Sequence, residues 1–377
     1  MRHGCEDSGP TLPEMPARQA PSRGDDVHPS PRQSARLAGL RYASGDRPGL
    51  SRRRSGRGFS YLGLQGRRIA DQATIARIRA LAIPPAWTDV WICADPNGHL
   101  QATGRDARGR KQYRYHRDFR ASRSVAKFDR LLGFAGALPR IRRRVEKDLA
   151  RRTLSRDKVL AAVVRLLELS LIRIGNDEYA RLNRSFGLTT FKNRHVQVHG
   201  STIRFRFRGK SGQQHDVGLR DRRLATIIRR CQALPGQDLF QYVDEAGQRH
   251  DVTSDDVNAY LRDASGTDVT ASDFRTWAGT VIAYKALAAL ESAPDPRAAK
   301  RNILEAIRVS AAELGNTETV ARNSYVHPGV LEAYLDGSAR PGKRAARRAP
   351  VPSASAIDRG AEADVVELLS SLPDATD

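Results

Sequence analysis

A chain of 377 residues is long enough for two domains, or for one large domain with tails. It is 40% hydrophobic and 28% charged, which is typical of a globular protein with a real core. No apolar run approaches the roughly 20 residues needed to cross a bilayer. The first residues also lack the apolar segment of a secretory signal. We therefore expect a soluble, cytoplasmic protein with no membrane partner.

The net charge of +22 indicates a polyanionic partner. Residues 1–55 carry a net charge of +4 and residues 337–377 a net charge of zero, which leaves +18 on residues 56–336. Nucleic acid is the leading choice, because counterion release favours contacts between Lys or Arg and phosphate. An Arg-rich proteome is the alternative. An anionic membrane surface is disfavoured, because no basic amphipathic helix with exposed aromatic residues is evident.

Metal and disulfide sites are not expected. Cys5, Cys93 and Cys231 lie far apart and form no CxxC pair, which argues against a disulfide framework or a zinc site. The nine histidines show no HExxH-like spacing. We therefore predict no metal and no cofactor.

Composition and periodicity divide the chain into four parts. Residues 1–36 and 338–377 are rich in Pro, Ser, Gly and Arg and are predicted to be disordered tails, although the terminal VVELLSSL could form a short helix. Residues 37–120 are predicted to form a β-rich domain, because strand-like segments alternate around an Asn-Gly turn at 97–98. Residues 121–337 are predicted to be mainly helical.

The helical part also contains a small sheet. Residues 158–174 are apolar enough to form a buried central helix. The segments HVQVHG, STIRFRFRG and QQHDVGLR then alternate with period two and are joined by glycine turns. Further helices are predicted at 222–234, 254–264, 275–291, 298–314 and about 317–323. The expected fold is α+β: a small N-terminal antiparallel β-sheet domain with short helices, joined to a larger, mainly α-helical domain that contains a small β-hairpin sheet.

Two basic residues occupy positions that suit phosphate contacts. Arg173 sits at the end of an apolar helix, although an arginine that answers the helix dipole is the simpler interpretation. Lys210 lies in a Gly-Lys-Ser-Gly turn between two strands, which suits a phosphate contact or a proton donor. An exposed turn lysine is the simpler interpretation there too. A P-loop is excluded, because GxxxxGK[ST] must lead into a helix.

Three further candidates lie in the last third of the chain. Arg275 is predicted in the first turn of a helix capped by Ser272 or Asp273, where a cation opposes the dipole; an anion ligand and a structural role are equally open. Asn316 follows a glycine that ends a helix, and Tyr325 lies nine residues later. Tyrosine, with an unperturbed pKa around 10, attacks phosphorus only with cations nearby. A half-buried packing residue is the alternative.

Together, two arginines, a turn lysine, an amide and a tyrosine suit phosphoryl transfer without a metal. Arginines present forked donors to the non-bridging oxygens, and a lysine can protonate the leaving oxygen. The sequence also resembles the poxvirus-like bacterial branch of type IB DNA topoisomerases over about residues 38–336. The stretches that carry this resemblance are GRDARGRKQYRYH, RIGNDEYA, GLTTFKNRH, FRFRGKSG, DFRTWAGT and LGNTETVARNSYVHP.

The resemblance implies a catalytic set and a reaction. The family carries Arg, Lys, Arg, His or Asn, and Tyr in that chain order, so the implied set is Arg173, Lys210, Arg275, Asn316 and Tyr325. Tyr325 would form a 3′-phosphotyrosyl link with duplex DNA, and relaxation of supercoils and resealing would need neither ATP nor a metal. Viral members carry His where this chain has Asn316. An amide still donates to a phosphate oxygen but cannot become cationic.

The resemblance also implies DNA contacts on the GRDARGRKQYxY strand. The implied contact residues are Arg110, Gln112, Tyr113 and Tyr115, with Tyr179 as a further candidate. Glutamine can read adenine edges in the major groove. Packing of the two neighbouring tyrosines on one strand face is the alternative. The RIRRR run at 140–144 is expected to follow phosphates or to form a solvated helix face.

The implied partner is double-stranded DNA, bound by a nucleoid-associated monomer with no obligate protein partner. A tyrosine recombinase is the nearest alternative, because LGxTxxxxxxxY fits both families. Recombinases usually place a histidine three residues before the second arginine, where this chain has Ser272. A non-catalytic DNA-binding protein of the same fold is a second alternative, disfavoured by the intact set of candidate residues.

Overall fold

The computed structural model describes residues 30–290, 293, 295–337 and 358–372. Its first part is built on an antiparallel sheet, and its second part is mainly helical with a smaller sheet. In the described ranges, no helix combines the length and the apolar character that a membrane span needs.

The first part is a small sheet domain. Its elements are α1 (Pro31–Leu37), β1 (Leu50–Ser55), β2 (Gly58–Leu62), α2 (Gln72–Ala80), β3 (Thr88–Ile92), β4 (Leu100–Arg105) and β5 (Lys111–Tyr115). The five strands are antiparallel in the order β2-β1-β3-β4-β5, which makes β5 an edge strand. The predicted turn at 97–98 connects β3 to β4, as expected. The small core beneath the sheet consists of Leu50, Ile78, Val90, Ile92 and Ala102.

The second part is mainly helical. Its helices are α3 (Arg117–Asp129), α4 (Leu131–Leu149), α5 (Arg156–Ser170), α6 (Asp177–Asn183), α7 (Arg222–Gln232), α8 (Ser254–Ser265), α9 (Ala271–Ala288), α10 (Pro296–Leu314), α11 (Glu318–Ser324), α12 (Pro328–Leu335) and α13 (Arg359–Ser371). Its strands are β6 (Val196–His199), β7 (Thr202–Arg208), β8 (Gln214–Arg220), β9 (Gln241–Val243) and β10 (Arg249–Asp251). Strands β6, β7 and β8 form one antiparallel sheet, and β9 pairs with β10. The expected α+β fold is confirmed.

Helix α5 is the centre of the helical part. Every side chain from Val159 to Val164 is at most 2% exposed, because α4, α8 and α9 pack around the helix. The predicted buried helix at 158–174 is therefore confirmed, but it ends earlier, at Ser170. Leu171 adopts a left-handed conformation with φ 54°, which turns the chain out of the helix. Arg173 consequently lies in the segment beyond α5 and not at the helix end.

The β7–β8 hairpin presents the predicted lysine turn. Its strands pair from Thr202 opposite Arg220 to Arg208 opposite Gln214. Alternate side chains of β7 are buried and fix the register of the hairpin against the helical part, since a slip of one residue would expose them. The amide of Gly209 donates to the carbonyl of Gln213 at 2.8 Å and closes the turn.

Two segments that were predicted to be disordered contain helices. Helix α1 lies at the end of the predicted tail 1–36, and Ser30 caps it. Helix α13 lies in the predicted tail 338–377 and packs against α4, α9 and α12. The prediction of disorder is wrong for α1 and for the first part of α13, whereas the short helix allowed at VVELLSSL is found in the rest of α13. Apart from Ser30, Asp358 and Leu372, which flank these helices, the other residues of both tails lie outside the described ranges.

The sequence of α13 explains why it folds onto the body. Ala361, Val365, Leu368 and Leu369 follow the i, i+4, i+7, i+8 spacing of an apolar helix face, and all four are buried. Polar and charged residues occupy the opposite face. Three of these four residues belong to VVELLSSL, the possible short helix of the sequence analysis, but the Pro- and Arg-rich composition of the segment concealed the earlier turns of α13.

A buried ionic network fastens α13 to the helical body. The carboxylate of Glu362 accepts two hydrogen bonds from Arg142, at 2.9 and 2.8 Å, and one from the indole of Trp277 at 2.9 Å. Arg142 also donates to Glu168 at 2.6 Å. Because each buried charge has several partners, the cost of desolvation is offset. Arg142 belongs to the 140–144 run, so the prediction of a phosphate contact or a solvated face is wrong for this residue.

Replacing Glu362 with Gln is expected to lower the free energy of unfolding by about 3 kcal/mol, because Arg142 would lose a charged partner in a buried site. Glu367 lies on the exposed face of the same helix. Its replacement with Gln is expected to change the free energy by less than about 0.5 kcal/mol. Urea titration followed by circular dichroism measures both values. Equal effects of the two substitutions would contradict the role of the network.

Candidate active site

Helix α9 carries Arg275 into the protein interior. The helix begins after Thr270, whose amide and hydroxyl donate to the carboxylate of Asp273 at 2.8 and 3.0 Å. The predicted caps, Ser272 or Asp273, are therefore wrong: Thr270 is the N-cap, and Asp273 is the third helical residue. Arg275 consequently lies in the second turn. Only 4% of it is exposed, so its side chain lies in the interior and does not point out of the helix N-terminus.

The guanidinium of Arg275 joins the ends of two other helices. It donates to the carbonyl of Leu171, just beyond α5, and to the carbonyl of Leu314 at the end of α10, the latter at 2.7 Å. A hydrogen bond between this guanidinium and the Tyr325 side chain favours its cationic form. Burial, assisted by the charge of Arg173, lowers the pKa of Arg275 to about 10. The side chain therefore remains cationic at neutral pH.

Arg173 follows Leu171 by two residues, and Asn316 likewise follows Leu314. The side chains of Arg173 and Asn316 are in contact. Arg173 donates to the Oδ1 atom of Asn316 at 2.6 Å. The Nδ2 atom of Asn316 is buried and has no hydrogen-bond partner in the described part of the chain. Because an unpaired buried donor is costly, this nitrogen is suited to an incoming acceptor such as a phosphate oxygen.

The backbone of Tyr325 is held by α9 as well. Its amide donates to the carbonyl of Ala321 at 2.9 Å, and its carbonyl accepts from the hydroxyl of Thr280 at 3.2 Å. A Cβ atom at Gly279 would lie 2.7 Å from the Tyr325 carbonyl oxygen, so only glycine allows this close approach. Helix α9 thus positions both Arg275 and Tyr325.

Two cations flank the phenol ring of Tyr325. The Arg275 guanidinium carbon lies 5.1 Å from the ring centroid, and the Lys127 Nζ atom lies 4.8 Å from it. Burial by itself raises the pKa of the phenol, but Arg275, Arg173 and Lys127 together lower it to about 8. A tyrosine that ionises more readily is better suited to nucleophilic attack. The environment therefore favours a reactive role over simple packing.

Lys210 stands apart from this cluster. It lies at the turn between β7 and β8, as predicted, and its side chain is exposed. Over the described ranges, no hydrogen bond or ion pair links Lys210 to Arg173, Arg275, Asn316 or Tyr325. The structure thus brings together four of the five candidate residues and places the fifth on an adjoining hairpin. Nor do the described residues include three or more His, Cys, Asp or Glu side chains grouped to hold a metal ion.

His215, which the sequence analysis missed, connects the Lys210 turn to the Asn316 loop. Its ring stacks on Phe207 with the centroids 5.0 Å apart. A Cβ atom at Gly209, beside Lys210, would lie 2.6 Å from the ring, and one at Gly315, beside Asn316, would lie 2.7 Å from it. The imidazole therefore fills the space that these two glycines leave.

The charge state of His215 follows from its surroundings. Burial, followed by the charges of Arg173 and Arg275, lowers the pKa of its imidazole, so the ring is neutral at pH 7. The glycines that precede Lys210 and Asn316 were the available sequence signal for a close contact at this place. No comparable sequence pattern points to Lys127, which precedes Tyr325 by almost two hundred residues.

The two tyrosines of β5 are exposed. Tyr113 and Tyr115 are 42% and 39% accessible, and their rings stack with centroids 6.1 Å apart. They lie on the same face of the edge strand, where the side chains alternate between exposed and half-buried. One side of Tyr115 packs against the buried ring of Phe119, with centroids 5.5 Å apart, as in the packing interpretation, whereas Tyr113 leaves more of its ring open to a contact.

Arg110 and Gln112 have partners within the protein. Both bind Asp106: Arg110 Nε donates at 2.7 Å and Gln112 Nε2 at 3.0 Å. The hydrogen bonds from Arg110 lower the pKa of Asp106 to about 2. Tyr179 belongs to α6, but its side chain lies outside the described residues.

Comparison with known proteins agrees with this geometry. A family model described as the catalytic core of eukaryotic DNA topoisomerase I matches residues 116–346. A second one, described as the N-terminal domain of bacterial DNA topoisomerase IB, matches residues 58–106. The chain is 32% identical over 293 residues to DNA topoisomerase 1B of Acanthamoeba polyphaga mimivirus, which covers 76% of this chain and 87% of that protein.

Poxvirus proteins are similar at lower identity. DNA topoisomerase 1B of Vaccinia virus (strain Copenhagen) is 24% identical over 272 residues, or 69% of this chain and 81% of the relative. DNA topoisomerase I of Monkeypox virus is 23% identical over 268 residues, with the same coverage. This chain belongs to the type IB DNA topoisomerase family. The matches to both parts of the chain favour this family over the tyrosine recombinases.

Gly209 provides a test of the His215 contact. Replacing Gly209 with Ala is expected to lower the free energy of unfolding by about 1–3 kcal/mol, since the new methyl group would overlap the imidazole. The same substitution in a His215→Ala background should cost much less. Gly218→Ala is the matched control, because a Cβ atom there meets nothing within 4 Å. Thermal or urea unfolding of the four variants measures the coupling, and additive costs would contradict the contact.

Proposed function

We propose that this protein relaxes supercoiled duplex DNA by breaking one strand transiently, with Tyr325 as the nucleophile. The observation that carries the proposal is the phenol of Tyr325, whose pKa is lowered to about 8 by neighbouring cations. The buried Nδ2 donor of Asn316, which has no hydrogen-bond partner among the described residues, adds support, because a phosphate oxygen would satisfy it. Membership of the type IB family supports the same reaction.

In the cleavage step, the phenol of Tyr325 loses its proton to solvent, and the resulting phenolate oxygen attacks a backbone phosphate. A new P–O bond forms to Tyr325 at the 3′ side as the bond to the 5′ oxygen breaks. Arg173 and Arg275 bind the non-bridging oxygens, where charge accumulates, and the Nδ2 atom of Asn316 donates to one of them. These donors lie in position before the reaction, which is what stabilises its transition state.

Lys210 protonates the departing 5′ oxygen in this scheme. Its place at the tip of a hairpin suits the role, because an exposed amine can reach DNA that lies across the turn. The cut strand then swivels about the intact one, and its 5′ hydroxyl reverses the reaction. One phosphodiester bond is exchanged for another of similar energy, so we propose that neither ATP nor a metal ion takes part.

We further propose that DNA lies against β5, where Tyr113 and Tyr115 form an exposed aromatic pair, and that Arg110, Gln112 and Tyr179 contribute contacts. The sheet domain and the helical domain, at about 37–120 and 121–337, would hold the duplex between them. We also propose a monomer without an obligate protein partner, because the four clustered candidate residues meet without a contribution from a second copy. The excess positive charge favours a place on chromosomal DNA, in the cytoplasm and the nucleoid.

Relaxation of supercoiled plasmid in the presence of EDTA tests the proposed reaction. The wild-type protein is expected to relax the plasmid, and Tyr325→Phe is expected to leave it supercoiled, because the ring is retained without the attacking oxygen. Tyr242→Phe, a half-buried tyrosine on β9, is the matched control and should relax it at the wild-type rate. Agarose gel electrophoresis over time gives the rates.

Each failure in this assay has its own meaning. A wild-type protein that binds DNA but leaves it supercoiled would indicate a non-catalytic DNA-binding protein. Relaxation by Tyr325→Phe would exclude Tyr325 as the nucleophile. Strand exchange limited to specific paired sites would instead identify a recombinase.

The proposed contact surface on β5 is tested by binding. Tyr113→Ala should weaken affinity for a short duplex about tenfold, which corresponds to about 1.4 kcal/mol and is typical of an aromatic side chain at an interface. Tyr242→Ala, in the helical part, should leave the affinity unchanged. Fluorescence anisotropy at fixed salt measures both dissociation constants. An unchanged affinity for Tyr113→Ala would remove this residue from the interface.

A further inference from the structure

Helix α3 connects the sheet domain to the helical domain, and its last turn lies against the Tyr325 segment. The Nζ atom of Lys127 donates to the carbonyl of Ser324 and also lies 4.8 Å from the ring centroid of Tyr325. The next residue, Phe128, packs edge-on against His327 with centroids 5.2 Å apart. One turn of α3 thus contacts residues on both sides of the tyrosine.

Among the described residues, no carboxylate forms an ion pair with Lys127. Its half-buried ammonium faces Tyr325 and Asp273, which favour its charge, and Arg275 and Arg130, which oppose it. The carboxylate of Asp273 already accepts two hydrogen bonds from the N-cap of α9. Desolvation is the main reason that the pKa of Lys127 is lowered. If the phenol of Tyr325 ionised, its negative charge would therefore balance the positive charge of the Lys127 ammonium.

Lys127 and Arg275 approach the Tyr325 ring from different elements. Arg275 belongs to α9 and is fixed by two backbone carbonyls, whereas Lys127 belongs to the connecting helix. That helix of 13 residues begins two positions after Tyr115, the end of the exposed strand β5. At 1.5 Å per residue it spans about 20 Å, so one rigid element joins the proposed DNA-contacting strand to the tyrosine.

We propose that Lys127 is a positioning residue for the nucleophile: it fixes the backbone beside Tyr325 and places a second cation next to the phenol ring. The connecting helix thereby makes the reactive state of Tyr325 depend on where the sheet domain sits. The proposal rests on the proposed role of Tyr325 as nucleophile. It gives the helix between the domains a part in the cleavage step, beyond that of a linker.

Single-turnover cleavage measures this role. A linear duplex whose cleavage releases a short strand is mixed with saturating protein, and the covalent protein–DNA adduct is followed on denaturing gels across neutral to alkaline pH. Lys127→Met is expected to form the adduct about tenfold to a hundredfold more slowly at neutral pH, as for loss of a desolvated cation–π contact. The deficit should shrink at alkaline pH, because the phenol then ionises without the cation.

Companion variants separate charge from hydrogen bonding. Lys127→Arg should recover most of the rate. Lys127→Gln can keep the bond to the Ser324 carbonyl without the charge and should show the same pH-dependent deficit as Lys127→Met. Arg120→Met removes an exposed cation from the same helix and should keep the wild-type cleavage rate at saturating protein. DNA affinity and the thermal midpoint of each variant are measured alongside, and Lys127→Gln carries the test if Lys127→Met folds poorly.

The outcomes distinguish this proposal from the one it rests on. A wild-type rate and pH profile for Lys127→Met and Lys127→Gln would overturn it, as would a deficit of equal size at every pH or an equal deficit for Arg120→Met. Adduct formation by Tyr325→Phe would instead overturn the assignment of the nucleophile. An inactive Tyr325→Phe beside a fully active Lys127→Met would leave the proposed reaction standing and remove only the role of Lys127.

Discussion

The buried guanidinium of Arg275 is the interaction on which the rest of the site depends. A charge in the interior must find partners, and Arg275 finds them in the carbonyls of Leu171 and Leu314, at the ends of α5 and α10. Because those carbonyls lie two residues before Arg173 and Asn316, satisfying one buried charge also brings a second arginine and an amide together. Assembly of the site is therefore a consequence of folding the core.

The sequence predicted which residues form the site better than it predicted what surrounds them. Residue type alone left structural interpretations open at Arg173, Arg275 and Tyr325. The family resemblance selected these three together with Asn316, and the structure places the four in one cluster. The orientation of Arg275 was not readable, because the N-cap at Thr270 shifts the start of α9 and turns its side chain inward. Contacts between segments that are far apart in the sequence also could not be predicted from local residue patterns. Lys127 approaches Tyr325 only because α3 folds back onto the end of α11.

A histidine ring fills the space between two segments of the site, and two glycines make room for it. The Lys210 turn and the Asn316 loop come from elements far apart in sequence, and in the proposed reaction both lie near the same phosphate. The His215 ring occupies the gap between them, and the missing side chains of Gly209 and Gly315 make room for it. A neutral ring there separates two polar segments without adding to the positive charge of Arg173 and Arg275, which already repel each other.

The attachment of α13 has a consequence for biosynthesis. Its Glu362 supplies the carboxylate that Arg142 and Trp277 share, and Trp277 lies on the same helix as Arg275. Helix α13 leaves the ribosome after every other described element, including the segment that carries Tyr325. Until α13 docks, Arg142 lacks Glu362, one of its two acidic partners. In a nascent chain, α9 and the Tyr325 segment therefore emerge before the carboxylate that supports α9, so docking of α13 is the last step in completing this buried network.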